Sequence, residues 1–113
     1  MNDSILTSIK KMLGIVEADE AFDSEIIMHI NTAFMVLEQL GIGPAGGFSI
    51  SDKTATWSEY WPDARRFEAV KSYVYLRVKL LFDSANLNSY VIQSINQQIE
   101  EYQWRLNCAA ENE

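Results

Sequence analysis

Apolar residues recur at helical spacing in four segments of this chain, and capping residues mark where each segment begins and ends. In the first, Asp3 or Ser4 can cap a helix carrying Ile5, Leu6, Ile9, Met12 and Leu13, and Gly14 supplies the left-handed residue that stops it. An acidic link from Glu17 to Asp23 leads to the second. There Asp23 is the N-cap, Phe22 staples against Ile27, the stripe is Ile27, Ile30, Phe34 and Leu37, and Gly41 is the stop. The third takes Pro62 as a first-turn residue and runs to about Phe82. Phe67, Val70, Val74, Val78 and Leu81 form one stripe on it and Tyr73, Leu76 and Leu80 a second, so this helix is apolar on two sides and is expected at the centre. In the fourth, Asn88 is the cap and Leu87 with Ile92 the staple. Val91, Ile95, Ile99, Tyr102 and Leu106 make a continuous face opposite Gln93, Gln97, Glu100, Glu101 and Arg105.

Between the second and third helices, residues 42–56 read as a long loop, of a length that in compact domains is usually functional or disordered. Phe48 and Ile50 alternate with Ser49 and Ser51 in a pattern that suits a short extended piece. Thr56-Trp57-Ser58-Glu59 has the form of a capping box, which begins a helical turn through Tyr60 and Trp61. The small, acidic end from Asn107 to Glu113 is expected to fray or to order on a partner. The prediction is therefore a single all-α domain over residues 1–113: a small bundle of about four helices, one long loop over about 42–56, and a flexible tail over about 108–113.

Composition narrows the function classes. With 48% apolar residues and aromatics spread along its length, the chain is expected to fold. Its 16 acids against nine bases, a formal charge of -7, argue against a protein that grips nucleic acid through phosphates, which needs clustered Lys and Arg. The single cysteine, Cys108, allows no intrachain disulfide and fits a reducing compartment. Met1-Asn2-Asp3-Ser4 lacks the basic start and apolar run of a signal peptide, and no stretch is long and apolar enough for a membrane span, so neither export nor membrane insertion is expected.

A search for chemistry returns structural readings. Gly41-Ile42-Gly43-Pro44-Ala45-Gly46 formally matches a dinucleotide-binding glycine pattern, but it follows a helix instead of joining a strand to one, so it reads as a helix stop and loop. Glu17, Asp19, Glu20 and Asp23 lack the turn glycine and closing glutamate of a calcium loop. His29, the only histidine, pairs on one helical face with Glu25, and a metal site or triad built on it would need another subunit. Nothing near Cys108 would activate a thiol nucleophile. Arg65, Arg66, Lys71, Arg77 and Lys79 make the third helix the most basic segment, yet they are scattered around it. They read as solvated charge or intersubunit ion pairs, with contact to nucleic acid or an acidic partner as the alternative. No enzyme, metal or cofactor is predicted.

The helix end Tyr73-Val74-Tyr75-Leu76-Arg77-Val78-Lys79-Leu80-Leu81-Phe82-Asp83, the short break, and the closing Ile99-Glu100-Glu101-Tyr102-Gln103-Trp104-Arg105-Leu106-Asn107 together resemble siphophage head-tail connector (head-completion adaptor) proteins. The loop region from Gly47-Phe48-Ser49-Ile50 to Thr56-Trp57 is similar too, which extends the likeness to nearly the whole chain. The resemblance implies a structural virion protein at the head-tail junction, made in the bacterial host cytoplasm. It implies a ring, typically twelve-fold, that forms beneath the portal after DNA packaging, extends the DNA channel, and docks the next neck protein or a tail-completion protein. Its partners would be copies of itself, the portal and that next protein, with DNA passing through unread and no membrane involved.

On that reading Phe48, Ile50, Trp57, Tyr60 and Trp61 are candidate subunit-interface residues, and Tyr102, Trp104, Arg105 and Leu106 are candidate portal contacts. Aromatic residues are enriched at interface centres, although filling the core is the competing role for each of these aromatics. A different class of function remains open: a small acidic regulatory module whose fourth helix offers Val91, Ile95, Ile99 and Tyr102 to a partner's groove.

Overall fold

The computed structural model describes residues 4–44, 46–60 and 67–111. The chain is all-α. Its elements are α1 (Ile5–Met12), α2 (Asp23–Gln39), the short α3 (Trp57–Tyr60), α4 (Phe67–Phe82), a 3-10 turn (Ser84–Asn86) and α5 (Ser89–Glu111). The four predicted helices are α1, α2, α4 and α5, and the turn predicted at the capping box is α3. Trp61, Pro62, Arg65 and Arg66 lie outside the described residues.

Helix α4 is the middle of the bundle. It packs on α2 along one flank and on α5 along the other, while α1 covers α2 and α4. This is why it carries two apolar stripes: Val70, Tyr73, Val74, Leu76 and Val78 are all buried. The expected stripe ran on to Leu81, but Leu81 is 44% exposed, because the helix is leaving the core in its last turn. Helix α2 gives the core Ile26, Ile30, Ala33, Phe34 and Leu37, with Ile27 only half-buried. Helix α5 gives it Ile95, Ile99 and Leu106, flanked by half-buried Val91 and Tyr102.

The caps account for the helix ends. Ser4 Oγ accepts from the Thr7 amide, and Asn88 Oδ1 accepts from the Val91 amide at 2.9 Å, as their sequence positions suggest. Gly14 and Gly41 take φ of 81° and 82° at the ends of α1 and α2. Asp23 departs from expectation. It is the first residue of α2 instead of its cap, and Phe22 at the cap position supplies no side-chain hydrogen bond. The Asp23 carboxylate is held elsewhere, 2.9 Å from the ammonium of Lys10. Phe22 sets its ring edge-on to Phe82, centroids 5.4 Å apart, joining the start of α2 to the end of α4.

Lys10 is the one charged residue in the buried set among the described residues. Its Nζ donates to the carbonyls of Glu17 (2.9 Å) and Asp19 (2.7 Å) and forms an ion pair with Asp23 Oδ1, so the buried ammonium is met by three oxygens. An eight-residue helix is too short to persist alone. The burial of Ile5, Leu6 and Ile9 fixes α1, and the Lys10 clamp ties the acidic link to it.

The long loop is fastened by side chains, and no strand occurs among the described residues. Asn31 on α2 donates through Nδ2 to the Ile50 carbonyl (2.9 Å) and accepts through Oδ1 from the Ile50 amide (2.7 Å), giving one loop residue the paired bonds that a neighbouring strand would give. At the loop's far end the Ile5 amide donates to the Ala55 carbonyl at 3.0 Å, and a lone antiparallel bridge joins Ser4 to Thr56.

The C-terminal segment, expected to be loose, is helical through Glu111. Leu106 anchors it in the core, and Asn107 Nδ2 donates to the carbonyl of Leu40 at the end of α2 (3.3 Å), satisfying an acceptor that the helix leaves open.

Two stability effects follow. Lys10→Met strands the Asp23 carboxylate and two loop carbonyls, so it is expected to cost about 3 kcal/mol, read as a lower urea midpoint. Asn31→Ala leaves the Ile50 amide and carbonyl unpaired at a buried position and is expected to cost about 2 kcal/mol. In native-state hydrogen exchange its loss of protection should centre on the Ile50 amide and spare α5.

Candidate assembly surface

The sequence proposes two groups of contact residues, and the fold treats them differently. The loop group forms an aromatic cluster on the α2 face. Phe34 is its hub, with ring centroids 5.3 Å from Phe48, 4.6 Å from Tyr60 and 6.2 Å from Trp57, and Phe48 meets Tyr60 at 5.2 Å. Most of these contacts are edge-on or steeply tilted, the arrangement ring quadrupoles favour. Trp57 and Tyr60 are enclosed, Ile50 nearly so, and Phe48 is half-buried at the rim. In this conformation Ile50, Trp57 and Tyr60 serve the subunit's own core, and Phe48 is the member of the group with surface left to offer. Trp61 is outside the described residues.

Polar atoms fix the cluster's register. Trp57 Nε1 donates to Ser8 Oγ at 2.8 Å, and Ser8 donates in turn to the Ser4 carbonyl at 2.8 Å, linking α3 to α1. Gly43, with φ of 102°, lies so close to the Tyr60 ring that a Cβ there would sit 2.9 Å from it. The glycine-rich run is thus a helix stop plus a close approach beneath an aromatic ring, with Ile42 buried beside it. Burial pushes the Tyr60 phenol well above its ordinary value of 10.0. On the loop surface the Thr54 hydroxyl and then its amide, both donating to Asp52, hold that carboxyl below its ordinary value.

The second group is split by the helical period. Leu106 is buried and Tyr102 half-buried, whereas Trp104 is 68% exposed and Arg105 lies on the surface paired with Glu101 one turn back. Trp104 and Arg105 can therefore meet another protein, while Leu106 holds the helix that presents them. Gln103 Nε2 donates to the Tyr73 hydroxyl at 2.8 Å and pins this turn of α5 to α4. The groove-binding face considered as the alternative is not on offer: Ile95 and Ile99 are buried against the bundle, with Val91 and Tyr102 packed at its edge.

Sequence reasoning missed Lys10, Asn31 and the outward side of α2. Lys10 reads as a surface charge because it follows Ile9 at the polar end of a short helix. Asn31 lies next to the apolar stripe, where an amide was a weak hint of a buried hydrogen bond. Met28 and Met35, 58% and 54% exposed, stand seven residues apart and off the core stripe, a signal that was legible.

Among the described residues no group of three His, Cys, Asp or Glu side chains converges as metal ligands. His29 Nε2 lies 3.7 Å from Glu25 Oε1, the neighbour pair expected on one helical face, and Cys108 is half-buried. An open cleft of about 580 Å³ runs between α1 and α4 beside Lys11, Met12 and Lys71. No helix of the described residues is long and apolar enough to cross a membrane.

The Tyr60 geometry has a pH signature. The unfolded phenol ionises near its ordinary value while the buried one stays neutral, so stability is full below about pH 10 and falls as pH rises beyond it. Urea midpoints measured from pH 8 to pH 11 should decline, and Tyr60→Phe should make that decline shallower.

A closed all-α core, a loop stitched down by side chains and exposed aromatic residues on the closing helix describe a part that works through its surface. Comparison with curated proteins and with solved structures gave no match. A family model described as phage connector protein matches residues 5–113, nearly the whole chain. The chain belongs to the phage connector protein family, and as a connector it is a structural component of the virion.

Proposed function

We propose that this connector subunit acts within a ring, twelve-fold as the sequence resemblance implies, that sits beneath the portal, extends the DNA channel and docks the next neck or tail-completion protein. The observation that carries the reading is the family match across residues 5–113. Synthesis in the host cytoplasm followed by incorporation at the head-tail junction goes with it.

The charge balance supports passage of DNA without capture. Each Lys or Arg contact to a phosphate adds affinity, and a channel wall rich in them would slow a moving duplex. A subunit with net charge -7 offers little such grip. Lys10 is buried, and Lys79 and Arg105 are paired with Asp83 and Glu101. For the portal contact the reading selects Trp104 and Arg105 from the closing helix, with Tyr102 at the edge and Leu106 as their internal support. For the loop it selects Phe48, backed by Ile50, Trp57 and Tyr60, with Trp61 as a further candidate.

Electron microscopy of the purified chain mixed with its portal tests the reading. A ring of extra density under the portal is expected, and a portal that stays bare would contradict it. Particles from a deletion strain should retain filled heads poorly or fail to join tails; normal infectious particles would sink the proposal. Trp104→Ala should leave stability within about 0.5 kcal/mol, because the ring is mostly in solvent, yet weaken portal binding. Unchanged binding by the folded variant would remove Trp104 from the contact.

A further inference from the structure

Charged residues are spread through this sequence, but two long helical stretches have none. No Asp, Glu, Lys or Arg stands between Glu25 and Glu38 in α2, or between Asp83 and Glu100, which takes in the first half of α5. Packing explains the residues of these stretches that face inward. It does not explain those facing out, where surface helices ordinarily carry charge. On α2, Met28, Thr32 and Met35 lie opposite the buried Ile26, Ile30, Ala33 and Leu37. On α5, Tyr90 is 80% exposed, and exposed Gln93, Ser94 and Gln97 follow it at helical spacing, opposite Ile95 and Ile99.

We propose that these two stripes are the two halves of one contact between copies: the Met28–Met35 stripe of one subunit packs on the Tyr90–Gln97 stripe of the next, head to tail. The pairing rests on the ring reading above and assigns surfaces to it. Electrostatics names a second copy as the occupant. Each subunit carries -7, so copies repel unless they meet where neither presents acid, and like charges set face to face cost affinity. These stripes are long outward faces that avoid that cost.

Their chemistry and dimensions also match. Interface centres are poor in charge and enriched in Tyr and Met, and a thioether packs favourably against an aromatic ring. Each stripe spans eight residues, seven helical rises or about 10 Å along its helix. The stripes sit on the two helices that flank α4, so they are distinct patches. A contact between distinct patches repeats around a ring, whereas a self-complementary patch ends at a dimer.

A pair of surface cysteines distinguishes these outcomes. The Met35→Cys/Gln97→Cys/Cys108→Ser protein, checked for native helicity by circular dichroism, is treated with a short bismaleimide, both purified and in neck-containing particles. The expected result in particles is a ladder of covalent multimers that is lost when either introduced cysteine is reverted. Dimers alone would show a self-complementary contact and overturn the pairing. So would no product, an equal ladder from the control pair Lys53→Cys/Gln97→Cys, or photo-crosslinking of position 97 to packaged DNA, which would assign the α5 stripe to the channel wall. Rings visible under the portal without a ladder overturn this pairing and leave the ring reading standing; no rings and no ladder overturn both.

Discussion

Burying α4 on two flanks is the constraint around which the chain is organised. A helix that is apolar on two sides cannot sit at an edge, so it needs α2 against one flank and α5 against the other. Tyr73 shows what this demands of a large residue. Its ring is fully enclosed, and its hydroxyl accepts from Gln103 on α5, so the polar tip of a core aromatic also sets the register of the closing helix. Because α2 and α5 spend their apolar faces on α4, their opposite faces are left to other contacts.

The segments between helices bury few apolar side chains of their own, Ile42 and Ile50 among them, and single polar side chains fasten their backbone. Lys10 collects two carbonyls and a carboxylate from the acidic link, turning a stretch that would repel itself into ligands for one ammonium. Asn31 does the equivalent for the loop by completing both backbone bonds of Ile50. A buried ammonium or amide is costly when unpaired and modestly stabilising when fully paired. Each is therefore a switch between a docked and a loose segment more than a large source of stability.

How much of this was legible in the sequence depends on the range of the interaction. Helix positions, the caps at Ser4 and Asn88, the stops at Gly14 and Gly41, and the double-sided α4 are local properties, set by period and by neighbours within a turn. Asp23 was misassigned because a carboxylate that can cap its own helix can also pair with an ammonium from another one, and only the fold decides between them. Ile50 suggested an extended piece because its apolar-polar alternation was real, but its hydrogen-bond partner was a side chain 19 residues away in the sequence. The contact residues were legible only in part. Loop aromatics look the same in sequence whether they face a neighbour or Phe34, and the helical period alone separates exposed Trp104 from buried Leu106.

The same division of labour bears on assembly. Trp57, Tyr60, Tyr73 and Phe34 are buried within the single chain, so contacts with a neighbour are not required to cover them and can be modest in area. In the proposed ring each copy would meet two neighbours and the portal at once. Contacts too weak to associate copies in dilute solution become effective when the first is already made, because the second is then intramolecular. Net negative charge would sharpen this behaviour: free copies repel one another, and in the proposed assembly a portal that gathered them would raise their effective concentration against that repulsion. On the proposed reading, a connector of this charge would stay a separate subunit until a portal offered it a site.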